Sequence, residues 1–154
     1  MPDIKISRAK IEDLEKILEL NKKLFEFERQ FGQTYNLDWT HSPGGRSYFI
    51  NRIKDGVVLV AEINQEMIGY LCAFINTFSF RSVNPIAELE NMYIEDKYQN
   101  VGVSTELIQK LIAKLRENGV KRIKVGALVK NNKAINFYKK LGFEDHEIFL
   151  ERNV

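Results

Sequence analysis

The sequence holds a single cysteine, Cys72, which excludes an intramolecular disulfide framework and a zinc site built from several thiolates. Histidine is almost as scarce: His41 and His146 stand far apart and suggest no metal centre. Charge of one sign is missing too, since 23 Lys and Arg face 21 Asp and Glu for a net +2. That balance argues against a dedicated nucleic-acid-binding module, which carries a basic excess on one face. No apolar run approaches the roughly 20 residues of a membrane span. The start, Met1-Pro2-Asp3-Ile4-Lys5, is no secretory leader, so the expectation is a soluble, cytoplasmic chain without membrane or nucleic-acid partners. Neither G-x-x-x-x-G-K-[ST] nor G-x-G-x-x-G occurs, which counts against ATP hydrolysis and nicotinamide chemistry.

What is present supports a core. The 154 residues (18.0 kDa) are 44% hydrophobic and 11% aromatic, enough for one compact domain over 1–154. A chain of this length buries roughly 70% of its unfolded surface.

Hydrophobic period locates the elements. Ile4–Ser7 alternates as a short strand. From about Lys10 the period becomes helical, with Ile11, Leu14, Ile17, Leu18 and Leu24 on one face. Gln33–Gly45 carries turn formers, yet Phe25, Phe27, Phe31, Tyr35 and Trp39 supply too much aromatic surface for a disordered linker. A second helix is expected over Ser47–Lys54, then a hairpin of Val57–Ala61 with Met67–Ile75, and a strand over Ile86–Ile94. Leu107, Ile108, Leu111, Ile112 and Leu115 mark the clearest helix, closed by Asn118-Gly119. Arg122–Val129 reads as a strand, Asn131 to Leu141 as a short helix, and Phe143–Glu151 as a last strand or strand pair. The expected fold class is α/β, a mixed sheet with helices on both faces.

Two stretches carry chemistry. Tyr98–Thr105 joins a strand to a helix through small residues, so the first helical amides and the positive end of the dipole suit a phosphate. Gly102 and Ser104 keep the backbone approachable, and Glu106 is the first acidic group after the turn. Asn131–Phe143 is a capped helix whose Tyr138 can pack inward while its hydroxyl reaches an edge. Either stretch alone also reads as ordinary structure.

Together, in order and on the expected elements, they resemble the GCN5-related N-acetyltransferases over nearly the whole chain. That family's phosphate loop, [Gln/Arg]-x-x-Gly-x-[Gly/Ala], is met by Gln99-Asn100-Val101-Gly102-Val103-Ser104. Its later helix, Asn-x-x-Ala-x-x-x-Tyr and then Leu-Gly-Phe, is met by Asn131, Ala134, Tyr138 and Leu141-Gly142-Phe143. Ser104 stands where the family has Gly or Ala, adding one small hydroxyl beside the phosphate path.

The resemblance implies a single-domain, mostly antiparallel acyl-CoA N-acyltransferase fold and acetyl-coenzyme A as co-substrate, with no metal. The diphosphate would lie on the amides of Gln99, Asn100, Val101, Gly102, Val103, Ser104 and Thr105, with Asn131 nearby. A backbone N–H of Met92, Tyr93 or Ile94 would polarise the thioester carbonyl, as a fixed donor in a water-poor slot. A lysine-like amine has a pKa of about 10.4 and must lose a proton before attack. Glu90 is placed like the carboxylate that several members use as base, with Glu88 or water as alternatives. Tyr138 is the implied general acid for the departing thiolate. Cys72 reads as a core residue, His41 and His146 as solvated side chains, and Lys133, Lys139 and Lys140 as a helix face.

The resemblance places acceptor selection in about Leu24–Tyr48, where aromatic residues mix with Glu26, Glu28 and Asp38 and suit a cationic amine. Glu90 and Ser104–Ile108 look somewhat like the diamine (polyamine) branch; a peptide amine is the other acceptor class. A homodimer is expected from relatives. A coenzyme-A-binding sensor or an interaction module on the same fold are the alternative readings.

Overall fold

A computed structural model describes residues 2–154. Its elements are β1 (Lys5–Arg8), α1 (Leu14–Glu28), α2 (Pro43–Asp55), β2 (Val57–Ile63), β3 (Glu66–Asn76), β4 (Ile86–Ile94), α3 (Val103–Glu117), β5 (Arg122–Val125) and α4 (Asn132–Lys140). The strands form one sheet in sequence order, antiparallel up to β4 and parallel between β4 and β5. The parallel step needs a crossover, and α3 supplies it.

Alternation along β2 sends Leu59, Ala61 and Ile63 to one face and Val58 and Val60 to the other. On the first face, α3 contributes the buried residues Val103, Leu107, Ile108, Leu111 and Leu115, with Phe137, Tyr138 and Leu141 of α4 beside them. On the second, α1 and α2 lay Ile17, Leu18, Leu20, Leu24 and Phe49 against Val58, Tyr70 and Cys72. A sheet covered on both faces needs strands apolar on both sides, which β2 and β3 are.

The first helical stretch begins as a 3-10 turn, Ile11–Asp13, before α1. Helix α2 starts at Pro43 rather than near Ser47, because Ser42 caps it, accepting from the Gly45 amide at 3.2 Å, and Pro43 takes the first position. The turn-rich segment before it is anchored as expected of its aromatics. Phe25 stacks on Trp39 (5.9 Å between centroids) and meets Tyr35 at a tilt (4.6 Å), and Trp39 meets Tyr48 at 5.6 Å. A buried polar relay adds to this: Thr40 Oγ1 donates to Asn21 Oδ1 (2.8 Å), and Asn21 Nδ2 donates to the Tyr70 hydroxyl (3.0 Å).

Two strand expectations fail. The strand over Arg122–Val129 stops at Val125, and Phe143–Glu151 forms no strand. Residues 144–154 are all exposed, with Ile148, Phe149 and Leu150 at 84–90%. Four consecutive polar residues, Glu144 to Glu147, followed by three consecutive apolar ones, give no alternating face to bury. No helix among the described residues is long and apolar enough to cross a membrane.

Candidate active site

Strands β4 and β5 pair only from Ile86↔Arg122 to Leu89↔Val125. Beyond Leu89, β4 runs on to Ile94 with no partner strand on that edge among the described residues, which leaves main-chain groups of this stretch unpaired there. A bulge sits at the same place on the other edge. The register passes from Cys72↔Asn91 to Ala73↔Leu89 and leaves Glu90 as the extra residue.

The turn after β4 is braced. Gln99 Nε2 donates to the Ile94 carbonyl and to Asp96 Oδ1, both at 3.1 Å, and the Tyr93 hydroxyl donates to Asp96 at 3.2 Å. Lys23 of α1 holds Glu95 at 2.8 Å. Burial first, then the Asp96 charge, push the Tyr93 hydroxyl up to about 12, so it remains a donor at neutral pH.

Asn100 and Gly102 then take φ of +65° and +92°, and Gly102 becomes the N-cap of α3. A Cβ on Gly102 would meet nothing within 4 Å; the backbone conformation, rather than space, calls for glycine. The first helical bond runs from the Glu106 amide to the Gly102 carbonyl (3.0 Å), and no side chain caps the end. The amides of Val103, Ser104 and Thr105 therefore have no acceptor within the helix, and the dipole adds positive potential there. Val103 is buried, and Val101, Ser104 and Thr105 are half-buried. A diphosphate fits this donor set, and the residues present fit coenzyme A.

Asn131 caps α4, its Oδ1 accepting the Ala134 amide at 3.1 Å, so that oxygen is already committed. The cap sets the start of the helix that carries Tyr138. The Tyr138 ring packs against Phe137 and Phe143 (5.3 and 5.5 Å). Burial, then the charge of Glu28, push its hydroxyl well above the usual range, so it keeps its proton at neutral pH.

Glu28 is a residue whose neighbours only the fold reveals. It continues the stripe Ile17, Asn21, Leu24 of α1 at helical spacing, just past the core. Its carboxyl is raised by burial alone, with no cation paired to it among the described residues, and its charge acts on Tyr35, Tyr70 and Tyr138.

Glu90 is not a free carboxylate. Arg52 Nε donates to Oε1 at 2.5 Å and Nη2 to Oε2 at 3.1 Å, and the Tyr48 hydroxyl donates to Oε1 at 3.0 Å. Glu88 lies apart from this cluster, 3.8 Å from Lys124 Nζ on β5. Cys72 is fully buried and pushed up to about 12, chiefly by burial, which leaves it an inert core thiol. His41 and His146 are exposed. Arg52 and Asn91 carried no sequence signal as site residues, and Tyr48 only as the end of the acceptor-selecting segment; the i, i+4 spacing of Tyr48 and Arg52 on α2 is the signal that could have paired them.

The sequence profile of the Acetyltransferase (GNAT) family matches residues 14–143, which takes in every element from α1 to α4. The chain belongs to the GNAT family. An uncharacterised N-acetyltransferase of Methanocaldococcus jannaschii is 30% identical over 140 residues, covering 89% of this GNAT chain, which spans 59% of that relative's length. A thialysine N-epsilon-acetyltransferase of Mus musculus is 27% identical over 151 residues, covering 94% of this chain and 86% of its own. Among solved structures, a predicted acetyltransferase of Clostridium acetobutylicum with acetyl-CoA superposes with a TM-score of 0.79 at 22% identity, over 98% of this chain and 96% of its own. That likeness places the open β4–β5 edge and the uncapped α3 terminus on a GNAT fold.

Proposed function

We propose that this chain transfers the acetyl group of acetyl-coenzyme A to a primary amine, as a single catalytic unit over residues 1–154. One observation carries the reading: the unpaired edge of β4 leads directly to the uncapped N-terminus of α3. A ligand with a long amide-bearing arm and a diphosphate matches that path. The arm would lie along Met92–Ile94, and the diphosphate on the amides from Gln99 to Thr105.

A β4 amide would stabilise the oxyanion that forms as nitrogen attacks the thioester carbonyl. Holding both reactants in the cleft removes much of the entropic cost of their encounter. The ammonium first gives one proton to Glu90, directly or through water. Nitrogen then bonds to the carbonyl carbon and the C–S bond breaks. The second nitrogen proton passes to the thiolate by way of the Tyr138 hydroxyl, and Glu90 returns its proton to solvent. Atoms and charge balance: ammonium plus thioester give amide, thiol and one proton.

The acceptor class in this reading is a small cationic amine, a polyamine-like or lysine-like molecule. The row Phe25, Trp39, Tyr48 and Glu28, which has no counter-ion among the described residues, support it, since aromatic faces and an unpaired carboxylate both attract a cation. The likeness to a thialysine acetyltransferase points the same way. Calorimetry with acetyl-coenzyme A and a thiol-release assay over thialysine, diamines and peptide amines test this. Binding with turnover on the small cations is expected; binding without turnover on any amine would leave a sensor, and no binding would end the proposal.

The chain is further proposed to act in the cytoplasm as a homodimer. The exposed Ile148–Leu150 and the free edge of β5 support pairing. Light scattering at the monomer mass of 18.0 kDa would reject it.

A further inference from the structure

Helix α2 reaches the bulge of β4 with two side chains one turn apart. The Arg52 guanidinium lies between two rings, 4.0 Å from the Phe74 centroid and 4.9 Å from that of Tyr48. From there it grips both oxygens of Glu90, with only 22% of either side chain exposed. The Tyr48 hydroxyl donates to Glu90 Oε1 and accepts from Asn91 Nδ2 at 3.0 Å. In a regular strand, residues 90 and 91 would point to opposite faces; the bulge lets both reach one hydroxyl. Burial pushes that hydroxyl far above its usual range, so it stays a donor at any physiological pH.

A carboxylate offers about four acceptor sites, two on each oxygen. Arg52 and Tyr48 fill both on Oε1, and Arg52 fills one on Oε2. One position on Oε2 is left.

We propose that Arg52 and Tyr48 are positioning residues: together they aim the remaining acceptor site of Glu90 Oε2 at the acceptor's proton or at the water that relays it. The proposal rests on the reading of Glu90 as base. Arg52 serves through its planar fork, which a lysine cannot reproduce, and the Phe74 and Tyr48 rings hold that plane. The aromatic row from Phe25 to Tyr48 thereby joins the acceptor side to the bulge, so the base is aligned by the same wall that the acceptor would touch.

The test uses the full chain, acetyl-coenzyme A and, as probe acceptor, whichever amine the panel shows to turn over, thialysine first. Glu90→Gln should lower kcat about 100-fold, the usual range for a lost general base. Arg52→Leu and Tyr48→Phe should each lower kcat about tenfold, because misplacement of a reacting group by a fraction of an ångström is costly. The KM for acetyl-coenzyme A should stay within about twofold, the diphosphate site being untouched. Arg52→Lys should recover only part of the loss. Combined with Glu90→Gln, Arg52→Leu should cost nothing further, since it acts through that carboxylate. Wild-type kcat in folded Arg52→Leu and Tyr48→Phe, or fully additive losses in the double variant, would overturn the proposal while leaving Glu90 as base. Wild-type turnover in Glu90→Gln would instead overturn the base reading itself. Tyr48→Phe keeps the ring and its stacking, so it decides the matter even if Arg52→Leu fails to fold.

Discussion

Replacing Gly102 with alanine separates a phosphate cradle from a plain helix start. Gly102 holds φ +92°, and an added Cβ meets no atom within 4 Å, so no clash adds to the backbone cost. An L residue in the left-handed region costs about 1–2 kcal/mol. For a domain of this size each kcal/mol lowers Tm by about 2–4 °C, so a fall of about 2–8 °C is expected in thermal denaturation. A chain that escapes the strain by leaving φ +92° turns the Val103–Thr105 amides away from their common focus. Losing one amide bond to a charged phosphate costs about 1.5–3 kcal/mol, or roughly tenfold to 100-fold in the Kd for acetyl-coenzyme A. Calorimetry reads that directly. A lowered Tm with an unchanged Kd would refute the cradle, because the glycine would then serve only the turn. An unchanged Tm would refute the strain argument itself.

Glu28→Gln tests the partnerless carboxylate. Burial raises the Glu28 carboxyl, so the folded chain favours its protonated form, and stability is lost as pH rises through the raised value. The glutamine variant should melt higher than wild type at pH 7 and alike near pH 3; a pH-independent difference would be inconsistent with a raised carboxyl. With a cationic acceptor it should also raise KM, by about tenfold for one lost charge-assisted bond. Tyr138→Phe should lower kcat by about 100-fold while the Kd for acetyl-coenzyme A changes little; equal turnover would remove Tyr138 from the mechanism. Asn131→Ala removes the α4 cap, worth about 1 kcal/mol, so Tm should fall by about 2–4 °C in the same denaturation assay. A Tm equal to wild type would mean that the Ala134 amide finds another acceptor.

Much of the scaffold was readable from local chemistry. The stripe Leu107, Ile108, Leu111, Leu115 gave α3, and Gly119 with φ +71° follows its end where a left-handed residue was expected. Asn131 caps α4 as its residue type suggests. Local rules misjudged α2, whose Ser42–Pro43 start lies four residues earlier than its apolar pattern. They also misjudged the C-terminal segment, because a strand requires a partner edge that the segment itself does not supply. The turn from Gln99 into α3 was legible because glycine and helix geometry fix its backbone. Glu90 lies in the strand expected of it, though its partners were not legible: Arg52 is 38 residues away and Tyr48 is 42.

The order of residues by itself determined which segments turn helical, that Asn131 caps α4, and that a small-residue loop opens a helix beside a strand. These depend on neighbours within a few positions, through period, capping and backbone freedom. Only the tertiary structure decided that β4 and β5 cease to pair after Leu89, that Glu90 is clasped by α2, and that Glu28 meets no counter-ion among the described residues. Each of those facts depends on where distant backbone and charge come to rest, and the interaction between two charges follows their separation in space, whatever their separation along the chain.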